Sequence, residues 1–159
     1  MTPDFKLYQQ QVVKNAKALE TELKALNYKL VADGTDSHMV LVNLRDRNLD
    51  GARIESVLEA VNMACNKNSI PGDKSALTPG GIRIGTPAAT TRGFSEEDFK
   101  RVARLVDQCV IIARQIQDSL PKEANKLKDF KAQVVAGVPE LQALKKEITE
   151  WASTFPLPI

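Results

Sequence analysis

Seven apolar side chains, Phe5, Tyr8, Val12, Ala16, Leu19, Leu23 and Leu26, recur at steps of three or four along the first 27 residues. That spacing places them on one stripe of a long helix. Thr2-Pro3-Asp4 starts it with a capping hydroxyl, a proline in the first turn and an acid near the positive end of the helix dipole. Such a helix gains little stability alone, so its stripe demands a surface to lie against. Whatever the rest of the chain builds must therefore offer an apolar face to this helix, or leave part of the stripe for a partner.

The segments that follow alternate in type. Lys29 to Ala32 reads as a short strand, and Asp33-Gly34-Thr35-Asp36 as a turn. His38 to Leu44 is β-branched and apolar on both sides, which predicts a strand covered on both faces. Asp50-Gly51 opens a second helix with Ile54, Val57, Leu58, Val61 and Cys65 inward. Ile82 to Thr86 reads as another strand. Ser95 caps a long helix whose buried side is Phe99, Val102, Leu105, Val106, Cys109, Ile112, Ala113 and Ile116, with Phe94 and Phe99 set as a hydrophobic staple. Pro121 stops it, and two further helices span roughly Lys122 to Val135 and Pro139 to Ser153. The predicted class is α+β, a small sheet covered by helices. The opening helix, residues 1–27, is expected to connect to something else, and 28–159 to form the small domain proper.

Charge narrows the function. The 22 basic and 20 acidic side chains leave a net charge of +2, too even to argue for nucleic acid or an anionic membrane surface. No apolar run is long enough to cross a bilayer, and the N-terminus lacks a signal-peptide pattern. Cys65 and Cys109 sit in apolar periodic segments without a CxxC or His/Cys cluster, which fits reduced, buried thiols in a cytosol-like compartment rather than a zinc site.

The chemistry concentrates between Asn66 and Gly93. Asn66 to Gly81 has no hydrophobic period and reads as a loop of about 15 residues, a length that often marks function. Within it Ile70-Pro71-Gly72-Asp73 fits a type II turn. In Gly81-Ile82-Arg83-Ile84-Gly85 the isoleucines point to a core, and Arg83 points the other way between two glycines that leave room around it. A guanidinium presented in this way suits a bidentate carboxylate or phosphate; pairing with an acid on a neighbouring element is the plainer reading. Asn68 offers donors and acceptors suited to the amide-like edge of a heterocycle, or to tying down its own loop. Arg92 reads as structural, as does the lone His38. No Ser/His/Asp arrangement, P-loop or GxGxxG occurs.

The succession Asn66-Lys67-Asn68, Pro71-Gly72-Asp73-Lys74-Ser75-Ala76-Leu77, Gly81-Ile82-Arg83-Ile84-Gly85-Thr86-Pro87-Ala88 and Thr90-Thr91-Arg92-Gly93 resembles the serine hydroxymethyltransferase family. So do Tyr8-Gln9-Gln10-Gln11-Val12-Val13, the Gly34-Thr35-Asp36 turn with His38, and the closing Phe155-Pro156-Leu157-Pro158. The resemblance runs along essentially the whole chain. Ser37 stands where the family usually has asparagine and Thr78 where some members carry a basic residue; neither is one of the candidate site residues.

The resemblance implies the C-terminal domain of a fold-type I pyridoxal-phosphate enzyme that interconverts serine and glycine and passes a one-carbon unit to tetrahydrofolate. It implies a substrate-carboxylate role for Arg83 and folate contacts at Asn68 and, beyond it, Ser75, Ala76 and Leu77. It implies a homodimer or tetramer; the expected compartment is the cytoplasm, with an organellar form left open. The family's cofactor lysine, phosphate cup and catalytic carboxylate have no counterpart here, so no catalytic residue is expected in this chain. The chain is expected to be part of a larger enzyme, inactive alone and forming no covalent adduct with pyridoxal phosphate. The rival is a free-standing, non-catalytic α+β module that binds a small anion or a protein partner through the Arg83 strand.

Overall fold

The computed structural model describes residues 2–121, 123 and 125–157. The expected helix start at Lys122 and the closing Pro158 lie outside the described residues. Thr2 accepts a hydrogen bond from the Phe5 amide at 3.3 Å and opens α1, Pro3–Ala25. The chain then runs through β1 (Lys29–Leu30), β2 (Met39–Asn43), α2 (Gly51–Ala60), β3 (Asn66–Asn68), β4 (Gly81–Gly85), α3 (Pro87–Thr91), α4 (Glu96–Ser119), α5 (Leu127–Ala136) and α6 (Pro139–Ala152). The protein is α+β, with a four-stranded antiparallel sheet in the order β1-β2-β4-β3.

Strand alternation sorts the sheet into two unlike faces. Leu30, Val40, Val42, Ile82 and Ile84 point into one core with helices α1, α2 and α4, and α5 and α6 close it from outside. The reverse face was expected to be covered as well; instead Met39 and Arg83 are exposed on it and Leu41 is only half-buried. The apolar run of β2 thus overstates its burial, because Met39 and Leu41 face away from the helices.

Four local expectations are amended. Lys29 to Ala32 shortens to a two-residue strand followed by a 3-10 turn, Val31–Asp33. Part of the expected loop, Asn66–Asn68, is a strand at the sheet edge. Its one inward residue, Lys67, is neutralised by Glu55 of α2 at 2.7 Å, so it carries no apolar signal. An inward-pointing charge is also a common way to keep an edge strand from pairing with another chain. Cys65 is half-buried in the connection before β3, not on α2. Pro87–Thr91 forms a short helix where none was expected.

The stripe of α1 finds most of its partner surface within the chain. Val12, Ala16, Leu19 and Leu23 are fully buried, chiefly against α4, while Phe5 at the start of the helix is 46% exposed. A buried polar seam adds register. Asn15 donates to Thr90 Oγ1 (2.8 Å) and the Phe94 carbonyl (2.9 Å), and Thr86 Oγ1 donates to the Val12 carbonyl (2.9 Å). The Ser95–Asp98 capping box and the Phe94–Phe99 contact, with ring centroids 6.0 Å apart, begin α4 as expected.

Candidate functional site

The open face of the sheet is built by register. Leu41, Arg83 and Asn66 lie side by side across β2, β4 and β3, and Asn68 stands opposite Gly81 one step along the same face. Arg83 and Asn68 are therefore diagonal neighbours on one surface, although 15 positions separate them in sequence. Around Arg83 lies an open depression of about 610 Å³ lined by His38, Met39, Ala64, Cys65, Asn66, Arg83 and Gly85.

Arg83 differs from every other arginine in the chain. Arg45 donates to Asp73, Arg47 to the Leu26 carbonyl and Arg53 to Asp50. Arg92 donates to the Ala152, Phe155 and Pro156 carbonyls, Arg101 to Glu147, Arg104 to Glu22 and Arg114 to Asp118. Among the described residues Arg83 alone has neither a carboxylate nor a carbonyl partner, so the acid-pairing reading does not hold. Arg92 has the structural role expected of it, anchoring the end of α6 and the segment after it.

The two glycines beside Arg83 serve different ends. A Cβ on Gly85 would meet nothing closer than 3.8 Å, which leaves the approach to Arg83 open. A Cβ on Gly81 would sit 2.6 Å from Ile70 and 2.7 Å from the Val42 carbonyl, so this glycine permits close packing rather than ligand access.

Asn68 donates its amide to the neighbouring Ser69 carbonyl at 2.8 Å, and its side chain is only partly exposed. Ser75, Ala76 and Leu77 are exposed at the loop tip, where Ser75 Oγ accepts from the Leu77 amide at 3.2 Å. No hydrogen bond joins this tip to Arg83 among the described residues. The type II turn forms, with Gly72 at φ 87° and the Asp73 amide donating to the Ile70 carbonyl at 3.0 Å.

Three residues of this face escaped sequence reasoning. His38 is structural through its carbonyl, which accepts from the Thr86 amide (2.9 Å), yet the residue also lines the depression. Met39 and Asn66 line it too; strand alternation would have found Asn66 had the edge strand been legible. Cys65 lies at the same rim, and burial pushes its thiol up to about 12, so it is protonated near neutrality and a poor nucleophile.

Among the described residues, those that line the depression include no lysine. These residues offer no amine to hold an aldehyde cofactor covalently. They do fit recognition of an anion presented to the sheet by something outside this face.

An α+β domain with one guanidinium unpaired among the described residues on an open sheet face has the chemistry to accept a carboxylate or phosphate. Its sequence relatives are specific. A family model of serine hydroxymethyltransferase matches residues 1–106. The chain is 71% identical over 159 residues to the cytosolic serine hydroxymethyltransferase of Aspergillus fumigatus, covering 99% of this chain and 34% of the relative. It is 63% identical to the cytosolic enzyme of Neurospora crassa (99% and 33% covered) and 60% identical to that of Saccharomyces cerevisiae (99% and 34%). The chain belongs to the serine hydroxymethyltransferase family, and it spans about a third of the length of the curated relatives it matches.

Proposed function

We propose that this chain is the C-terminal part of a cytosolic serine hydroxymethyltransferase, which interconverts serine and glycine and passes a one-carbon unit to tetrahydrofolate. The observation that carries the reading is Arg83, the one arginine without a partner among the described residues, on the open face of the sheet. Arg83 grips the carboxylate of the amino acid through paired N–H donors, which fixes the substrate's orientation. Asn68, on the same face, meets the polar edge of the folate, and Ser75, Ala76 and Leu77 lie along it. The complete enzyme takes pyridoxal phosphate, held by residues outside this chain, and works as a homo-oligomer. Residues 1–27 act as the connecting helix and 28–159 as the small domain. The isolated chain is inactive. The cytosolic placing rests on the names of the relatives.

The test uses the full-length Aspergillus fumigatus enzyme with this chain exchanged for its counterpart segment. Arg83→Ala should raise the KM for serine on the order of 10²-fold, the loss expected when one partner of a buried charge pair is removed, and leave the KM for tetrahydrofolate little changed. An unchanged serine KM would remove Arg83 from the substrate site and the proposal with it.

A further inference from the structure

The loop from 70 to 80 leaves the sheet beside β3 and returns directly into β4, the strand that carries Arg83. Its two ends are tied to one carboxylate. Asp73 Oδ2 accepts from the Ile70 amide and from the Gly80 amide, each at 2.8 Å. The other oxygen, Oδ1, accepts from Arg45 Nη2 at 2.5 Å, and Arg45 Nη1 donates to the Pro71 carbonyl at 2.9 Å. Arg45 is itself fixed to the end of β2, because its amide donates to Asn43 Oδ1 at 3.0 Å and the Leu44 amide donates to the Gly80 carbonyl at 2.9 Å. Glycines stand where the guanidinium passes. A Cβ on Gly80 would lie 3.0 Å from Arg45 Nε and 2.9 Å from Asp73 Oδ1, and one on Gly72 would lie 3.4 Å from Arg45 Nη1.

The geometry points to Arg45 and Asp73 as a positioning pair that closes this loop at its base and so sets the Ser75–Leu77 tip beside the Arg83 face for the folate. This rests on the reading of the tip as a folate contact. The physical need is clear from burial. Ile70, Pro79 and Gly80 are buried at the base, while 74–78 are exposed and Leu77 is 80% exposed. The tip has no packing of its own to hold it, so its place depends on what pins the base. A charged arginine–carboxylate contact, with the same carboxylate accepting two backbone amides, is the strongest kind of pin available at a surface. The amides of Gly80 and Ile70, and then Arg45, hold the Asp73 carboxyl below its usual range, so the contact stays ionised at neutral pH. Neither residue reaches Arg83, so the pair acts through the loop and does not touch the amino acid.

Two measurements test this. In the chain itself, Arg45→Met should speed hydrogen exchange at the Ile70, Leu77 and Gly80 amides by about tenfold or more and leave the Ile82 and Ile84 amides unchanged, the pattern of a local opening. In the full-length exchange enzyme the same variant should raise the KM for tetrahydrofolate about tenfold with the serine KM within about twofold, a split confined to one substrate, and Arg45→Lys should recover part of the loss. Unchanged exchange overturns the pair as a clamp. Faster exchange with an unchanged folate KM overturns its positioning role. Asn68→Ala and Leu77→Ala in the same assay separate the two readings. If they raise the folate KM while Arg45→Met does not, only the positioning pair fails; if none of the three does, the folate reading of this face fails.

Discussion

Arg83 is exposed and, among the described residues, unpaired, so its charge holds no contact of the fold there. Arg83→Ala should therefore shift unfolding stability by no more than about 0.5 kcal/mol, the range of surface substitutions that break no contact. The urea midpoint of the chain measures this; a drop of more than about 1 kcal/mol would reveal a partner within the fold. Gly51 makes the opposite case. It is buried at the first turn of α2, its amide donates to the Pro79 carbonyl at 2.7 Å, and a Cβ there would fall 2.0 Å from the Gly81 carbonyl. Backbone is on the other side of that contact, so no side-chain rotation relieves it. Gly51→Ala should cost about 1–3 kcal/mol by overpacking. Because α2 would be pushed from β4, the variant should also speed hydrogen exchange at the start of β4. An unchanged midpoint would mean that α2 and β4 are not this close.

At the scale of elements, α1 does two jobs along its length. From Val12 to Leu23 it is core, sealed against α4 and locked by Asn15 and Thr86. Before that it is surface, with Phe5 and Leu7 largely in water and Tyr8 reaching Thr91 Oγ1 at 3.0 Å. Leu19→Ala should cost about 2–5 kcal/mol, as for a fully buried leucine, whereas Phe5→Ala should cost under about 0.5 kcal/mol. Equal effects in thermal or urea unfolding would show that the stripe is not divided in this way. The expectation that part of the stripe is left for an outside partner is thus confined to its first turns. Helical period placed the seven residues on one side but carried no information on how far along that side α4 would run.

For the whole molecule, several carboxylates tie elements together. At Glu20, burial alone would raise the carboxyl, but the Thr35 amide and the ammonium groups of Lys17 and Lys24 outweigh it and hold it below its ordinary 4.5. At Glu55 burial is again outweighed, there by the side chain and amide of Lys67. Glu96 is lowered first by its own helix-terminal amide and then by Gln11. Each of these groups binds its proton less readily folded than unfolded. The stability they contribute is therefore complete above about pH 4.5 and is lost as pH falls through their lowered folded values. The urea midpoint should be level from about pH 8 to 5 and decline below about 4.5. Glu20→Gln should flatten part of that decline. A midpoint that is level down to pH 3 would mean that these contacts contribute nothing to stability.

Much of the fold was legible in the sequence because its cause is local. Period three-to-four set the long helices, the Asp50 and Ser95 caps set where two of them begin, and period two set the inward isoleucines and the outward Arg83. The type II turn followed from Pro71 and Gly72, whose backbone preferences need no neighbour. The β3 edge strand was not legible, because Asn66, Lys67 and Asn68 become a strand only through backbone bonds to β4, and no side-chain pattern records a hydrogen bond made across 15 residues. That Arg83 is the one arginine without a partner among the described residues was equally hidden, since a guanidinium finds its acid or carbonyl through chain crossings. The same holds for the uncovered second face of β2, whose apolar residues look alike in sequence whichever side the helices take. Residue type and spacing determined which groups have the chemistry to recognise an anion; only the packing of distant segments decided that Arg83 is left exposed, and that Arg45 is bound to Asp73 at the base of the neighbouring loop.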